Sequence, residues 1–256
     1  NPNIWNRAQI LSSTNTNTQN STQWWYADTS CPSVCNYVLV SDSSRFVLAF
    51  GVNDLPAYKG GPAPTTQNPM LVRWSDQENT LVWYPEVTNQ AGSYQLSHGS
   101  QIITAVQTRQ EILVLTDTAI YSMQYLGPPY VWGFQLMGDN ISIMSPQAAV
   151  TVNNITYWMG VDKFYMYSGR VETLPCTLRQ YVYDDINLEQ SFQVISGTNE
   201  GYNEIWWYYC SITGPDGTGT PTNPNTKVDR YVIFNYLERI WYYGKLGRSA
   251  CCLLYT

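Results

Sequence analysis

Acidic side chains stand in close pairs at two places in this sequence. Asp76 and Glu78 are two apart, and Asp184-Asp185 are adjacent. Two carboxylates flanking a glycosidic bond are the equipment of a glycoside hydrolase. Both pairs lie among turn-forming residues, however, where a carboxylate ordinarily caps backbone N–H groups and stays solvated, so a structural role is expected for them. The single histidine, His98, sits between Ser97 and Gly99. With no G-x-S-x-G elbow around it, it reads as a turn histidine rather than the base of a nucleophile–base pair.

Metal and phosphate chemistry are as thinly represented. Cys31 and Cys35 have a spacing that suits a metal, but one histidine and no second close pair leave a four-ligand site incomplete. Cys251 and Cys252 are adjacent, so in a strand they point to opposite faces. With Cys176 and Cys210 they read as reduced core or surface thiols. Gly214-Pro215-Asp216-Gly217-Thr218-Gly219 lacks the Lys and the following helix of a P-loop and reads as a flexible hairpin loop. Asp216 alone is too little for calcium. Asn20, Asn140 and Asn154 lie in N-x-S/T sequons, which matter only in a eukaryotic secretory pathway. No cofactor and no enzymatic activity are expected.

The elements that carry these residues are short strands. From Tyr37 onward, runs of β-branched and aromatic residues alternate with turn clusters. Tyr37-Val38-Leu39-Val40, a Ser41-Asp42-Ser43-Ser44 turn and Arg45-Phe46-Val47-Leu48-Ala49-Phe50 predict a hairpin. Leu71-Val72-Arg73-Trp74 and Thr80-Leu81-Val82-Trp83-Tyr84 predict another around Asp76-Gln77-Glu78-Asn79. Helical periodicity is nearly absent, with one short helical turn expected within residues 181–190. Residues 1–30 are rich in Asn, Thr, Ser and Gln, too polar to fold alone, and predict an arm or long loop anchored by Trp24-Trp25-Tyr26. The chain opens at Asn1-Pro2-Asn3 without a starting Met or a signal peptide, so it reads as an internal or processed piece whose outermost strands have partners beyond it.

A repeat sets the architecture. Ile112-Leu113-Val114-Leu115 turns into Ile120-Tyr121-Ser122-Met123, and Ile155-Thr156-Tyr157-Trp158 turns into Phe164-Tyr165-Met166-Tyr167. The second strands of the two units lie 44 residues apart. Such a period, with three or four strands per unit, predicts an all-β fold of β-propeller blades. About four blades are expected, over residues 37–84, 102–136, 148–174 and 192–243, as part of a larger propeller. The organisation is thus a polar arm at 1–30 and blades over 31–256. A β-sandwich is the rival architecture. The 37 aromatic residues (10 Trp, 21 Tyr, 6 Phe) suit packing between sheets.

Composition narrows the function. Charged residues are 12% of the chain, about half the usual share, which suits a protein packed against other subunits. The net charge is −6 with only four Lys (Lys59, Lys163, Lys227, Lys245). A surface without clustered cations does not grip nucleic acid, though it can line a path along which DNA slides. No apolar run reaches the roughly 18 residues of a membrane span.

Several strings resemble those of a family of phage virion proteins. They are Leu71-Val72-Arg73-Trp74-Ser75-Asp76-Gln77-Glu78-Asn79, Arg109-Gln110-Glu111-Ile112-Leu113-Val114 and Thr116-Asp117-Thr118-Ala119-Ile120-Tyr121-Ser122-Met123. To these add Leu174-Pro175-Cys176-Thr177-Leu178-Arg179, Asp184-Asp185-Ile186-Asn187, Asn203-Glu204-Ile205-Trp206-Trp207 and Asp229-Arg230-Tyr231-Val232-Ile233. They are similar to tail proteins of the nozzle or tail-stabilising type in double-stranded DNA bacteriophages, over residues 37–247. The resemblance implies a propeller-containing subunit of the virion tail, assembled as a ring, a hexamer, beside other tail or adaptor proteins. Packaged double-stranded DNA would be retained and then passed through the channel without specific binding. Within that picture Arg73, Asp76, Glu78, Arg109, Glu111 and Arg179 are expected to fix the geometry between blades through Arg–carboxylate bonding. The alternative is a propeller lectin or receptor-binding module that stacks exposed aromatics on host surface glycans.

Overall fold

A computed structural model describes residues 30–62 and 64–248. The expected arm at 1–30, apart from Ser30, and Cys251 and Cys252 lie outside the described residues. The fold is all-β: four four-stranded antiparallel sheets, each a meander whose neighbours in space are neighbours in sequence. The first contains β1 (Tyr37–Ser41), β2 (Phe46–Phe50), β3 (Leu71–Trp74) and β4 (Gly92–Gln95). The second contains β5 (Ile102–Gln107), β6 (Ile112–Thr116), β7 (Ala119–Gly127) and β8 (Val131–Asp139). The third contains β9 (Ala149–Val152), β10 (Ile155–Met159), β11 (Phe164–Tyr167) and β12 (Val171–Leu174). The fourth contains β13 (Ile195–Asn199), β14 (Glu204–Tyr209), β15 (Arg230–Asn235) and β16 (Ile240–Lys245). A short helix, α1 (Arg179–Asp185), and a 3₁₀ stretch, Leu188–Gln193, stand where one helical turn is expected. Among the described residues no helix is long and apolar enough to cross a membrane.

Burial follows position in the sheet. All five residues of β6 and all four of β3 are buried, as are the last four of β10. Edge strands differ: β1 alternates, β4 is exposed after its first residue and β16 is largely exposed. A strand buried on both faces reads as a continuous hydrophobic run, whereas a half-buried one alternates. Ile112-Leu113-Val114-Leu115 is such a run, and Tyr37-Val38-Leu39-Val40 is such an alternation.

The described residues divide into two compact units: those up to Ala105 with Gln124–Gly133, and Val106–Met123 with those from Phe134 onward. In the first, Ala49, Val52, Leu71 and Trp83 form a core cluster. Phe46, Tyr125 and Trp132 pack ring against ring at 5.5–5.6 Å between centroids. Thr80-Leu81-Val82-Trp83-Tyr84 is not the predicted strand. After β3 the chain closes a turn in which Asp76 N donates to Val82 O at 2.8 Å and Leu81 N to Asn79 Oδ1 at 3.1 Å. Trp83 then enters the core with its indole N–H on Thr80 O at 2.8 Å. Core packing overrides strand propensity here. The strand that pairs with β3 is instead β4, beginning at Gly92 opposite Trp74. Any Cβ at Gly92 would lie 2.5 Å from the Trp74 ring, so only glycine fits there.

In the second unit the third and fourth sheets pack together. Phe164 meets Trp207 at 5.0 Å and Trp241 at 4.8 Å between ring centroids. The junction is also hydrogen bonded. Trp207 Nε1 donates to Ala148 O at 3.0 Å, Ser196 N to Gln147 O at 2.8 Å, and Ser145 Oγ to Val194 O. Trp207 is fully buried. Replacing it with Ala should lower the unfolding free energy by about 3–5 kcal/mol, seen as a fall in the urea midpoint. A loss under about 1 kcal/mol would exclude this junction from the cooperative core.

Candidate functional site

The charged residues singled out in the sequence go to separate places. Arg73 in β3 is fully buried, donating through Nη1 to Asn53 O at 3.1 Å and through Nη2 to Ser30 O. It therefore ties loops to its own sheet through backbone carbonyls. Asp76 Oδ1 accepts from Gln90 N at 2.8 Å, holding the segment that leads into β4. Glu78 forms an exposed ion pair with Arg45 at 2.5 Å. Arg179, the first residue of α1, donates from Nε to Asp162 O at 2.8 Å. Arg109 is exposed, and its guanidinium bonds no described residue.

Glu111 joins two sheets. It stands in the β5–β6 turn, where one carboxylate oxygen accepts from Tyr167 Oη, at the end of β11, at 2.7 Å. The other accepts from Ser122 Oγ in β7. Burial, then the hydrogen bond and charge of Glu111, push the Tyr167 phenol far above its ordinary pKa, so it stays a donor. Beside Glu111 three hairpin turns border one half-open cavity of about 260 Å³. The β5–β6 turn is closed by Thr108 N to Glu111 O at 2.9 Å and by Thr108 Oγ1 to the same carbonyl at 2.8 Å. The β9–β10 turn is Asn153-Asn154, both with positive φ (50° and 64°), the conformation two-residue hairpins require and Asn tolerates. The two turns are bonded through Arg109 N to Asn154 Oδ1 at 3.2 Å. Ser168 and Gly169, which follow β11, complete the border.

A second polar cluster, missed in the sequence, lies where α1 meets the fourth sheet. Arg230 opens β15 with its side chain 10% exposed. Its Nη2 lies 3.2 Å from Asp185 Oδ2 and donates to Thr213 Oγ1 at 2.9 Å, while Nη1 donates to Tyr181 Oη at 2.9 Å. Its Nε is 3.5 Å from Asp229 Oδ2, near enough for charge attraction but not a directed hydrogen bond. Asp229, 4% exposed, also accepts from Ser211 N at 2.9 Å, Ser211 Oγ at 2.8 Å and Asn225 Nδ2 at 3.1 Å. Asp185 Oδ1 accepts from Thr213 Oγ1 at 2.9 Å. These bonds fix the base of the loop 210–229, together with Asn187 Nδ2 to Asn225 O at 2.8 Å. Asp184, the other half of that acidic pair, is exposed.

Cys210 donates its thiol to Asn225 O at 3.0 Å, and burial, followed by the charges of Asp229 and Asp185, pushes its pKa up to about 11. Cys176 is likewise raised to about 11, chiefly by burial. The Tyr209 phenol, buried near Arg230, is raised in the same way by burial. Ser97 Oγ and His98 Nδ1 lie 3.0 Å apart as exposed sequence neighbours. Among the described residues no group of three or more His, Cys, Asp and Glu is placed to hold a metal ion. No protein-family model matches this chain, and no curated protein matches it significantly.

Two predictions follow from the buried groups. Arg230→Ala leaves Asp185 and Asp229 without their cation and should cost about 3–5 kcal/mol, whereas Arg45→Ala, which breaks a pair 68% and 59% exposed, should cost under about 1 kcal/mol. Paired urea titrations check both, and equal losses would refute the distinction. The second concerns Cys210, whose thiol is neutral below its folded pKa. Native-state alkylation by iodoacetamide at pH 8 should therefore run at least about 100-fold slower than for a free thiol and rise until about pH 11. Mass spectrometry of the modified peptide reads this, and labelling at the rate of a free thiol would overturn it.

Proposed function

We propose that this chain is a structural subunit of a bacteriophage tail, of the nozzle or tail-stabilising type. It is built from β-propeller blades and assembled as a hexameric ring beside other tail or adaptor proteins. Its work is mechanical rather than enzymatic: extending the tail, retaining packaged double-stranded DNA and letting it pass during infection. The observation that carries this reading is the fourfold recurrence of a four-stranded meander in chain order, with central strands buried on both faces. Such a sheet needs a neighbour on each side, and radial repetition supplies one.

Three further points support it. The strings that resemble the phage family fall on framework: Ile112-Leu113-Val114 is in β6, Glu204-Ile205-Trp206-Trp207 opens β14, and Asp229-Arg230 belongs to the buried cluster. The buried charges Arg73, Asp229 and Arg230 take partners from within the fold. The net charge of −6 disfavours a lasting hold on phosphates, as a conduit for DNA requires.

The test is the mass and image of the native particle that contains the chain. A ring of about six copies attached to a DNA-filled shell is the expected result. A free monomer of 29.2 kDa in light scattering would exclude the ring.

A further inference from the structure

We infer that the cavity beside Glu111 is a binding site for a neutral, polyhydroxylated molecule about the size of one sugar ring. This stands on the cavity alone and does not rest on the tail reading. The walls are fixed: the Thr108, Glu111–Tyr167 and Arg109–Asn154 hydrogen bonds hold the border in place without any ligand. Against these stand groups with unused capacity. Gln110, Asn153 and Ser168 line the cavity and are exposed, and their side chains bond no described residue. Two carboxamides each offer a donor and an acceptor, and the serine offers a hydroxyl. Such a set matches neighbouring hydroxyls, each of which is both donor and acceptor.

Charge and size restrict the ligand further. The one carboxylate, Glu111, has both oxygens engaged by hydroxyl donors, leaving too few ligands for a hard cation, which takes about six oxygens. The same negative charge repels an anion. A volume of about 260 Å³ falls just below the roughly 300–1,000 Å³ of sites for drug-sized ligands. Ile155 adds an apolar wall for a C–H face. A free saccharide and one residue of a polysaccharide present the same chemistry.

Saturation-transfer NMR on the full chain tests this with methyl glucoside, methyl galactoside, N-acetylglucosamine and soluble dextran as probes. At least one should show saturable transfer with a dissociation constant on the order of millimolar. The double variant Gln110→Ala/Asn153→Gly removes two side chains without partners and keeps a residue that accepts positive φ at 153. It should melt at an unchanged temperature and bind the same probe at least about 10-fold more weakly. A small glycoside binding while dextran is silent supports a free saccharide as the ligand, and dextran binding at least as well supports a polysaccharide. Absence of saturable transfer from every probe, or unchanged affinity in the double variant, would overturn the site.

Discussion

Burial of central strands on both faces is the constraint on which the rest of this molecule depends. Leu113, Val114 and Leu115 leave no face of β6 for water, so the sheet is stable only with cover on each side. Where that cover is visible, between the third and fourth sheets, it consists of large rings. Phe164 is wedged among Tyr183, Trp207 and Trp241, which supplies broad apolar contact with few side-chain conformations to lose. Indole N–H groups inside such a junction need acceptors, and main-chain carbonyls provide them: Ala148 for Trp207 and Pro175 for Trp241. Packing and hydrogen bonding thus select the same arrangement.

Ionisable groups tie separate segments of this fold together. Arg73 gathers two carbonyls in the first unit, Glu111 bridges two sheets in the second, and Arg230 joins a helix, a strand and a long loop. A buried ion pair adds little to stability compared with an apolar replacement. What it adds is geometry: a guanidinium with partners in several directions tolerates few alternative placements of the segments that supply them. Arg73, Asp229 and Arg230 are the charged residues buried among the described ones.

Much of the sheet framework was readable from the sequence because it rests on local patterns. Apolar runs gave β6, β10 and β14, alternation gave β1, and the spacing of paired strands gave the repeat. The misreading at Thr80-Leu81-Val82-Trp83-Tyr84 has a tertiary cause. The segment has strand composition, but the core needs Trp83, and β4 begins at a glycine whose value lies only in what it leaves room for beside Trp74. The polar sites were harder still. Glu111 and Tyr167 are 56 residues apart, and Arg230 and Tyr181 are 49 apart, so no local spacing links them. Near the cavity, the consecutive asparagines at 153 and 154 are a local signal, because together they mark a tight hairpin.

The loop 210–229 is gripped where it enters and leaves its sheet, by Ser211–Asp229, Asp185–Thr213 and Asn187–Asn225, while residues 215–223 are largely exposed. Anchorage and length are therefore uncoupled. Extra residues at the tip enlarge a loop whose ends are already closed, and each doubling of loop length costs only about 0.6 kcal/mol. Evolution or an experimenter can thus graft a peptide or a reporter there and leave the sheets undisturbed.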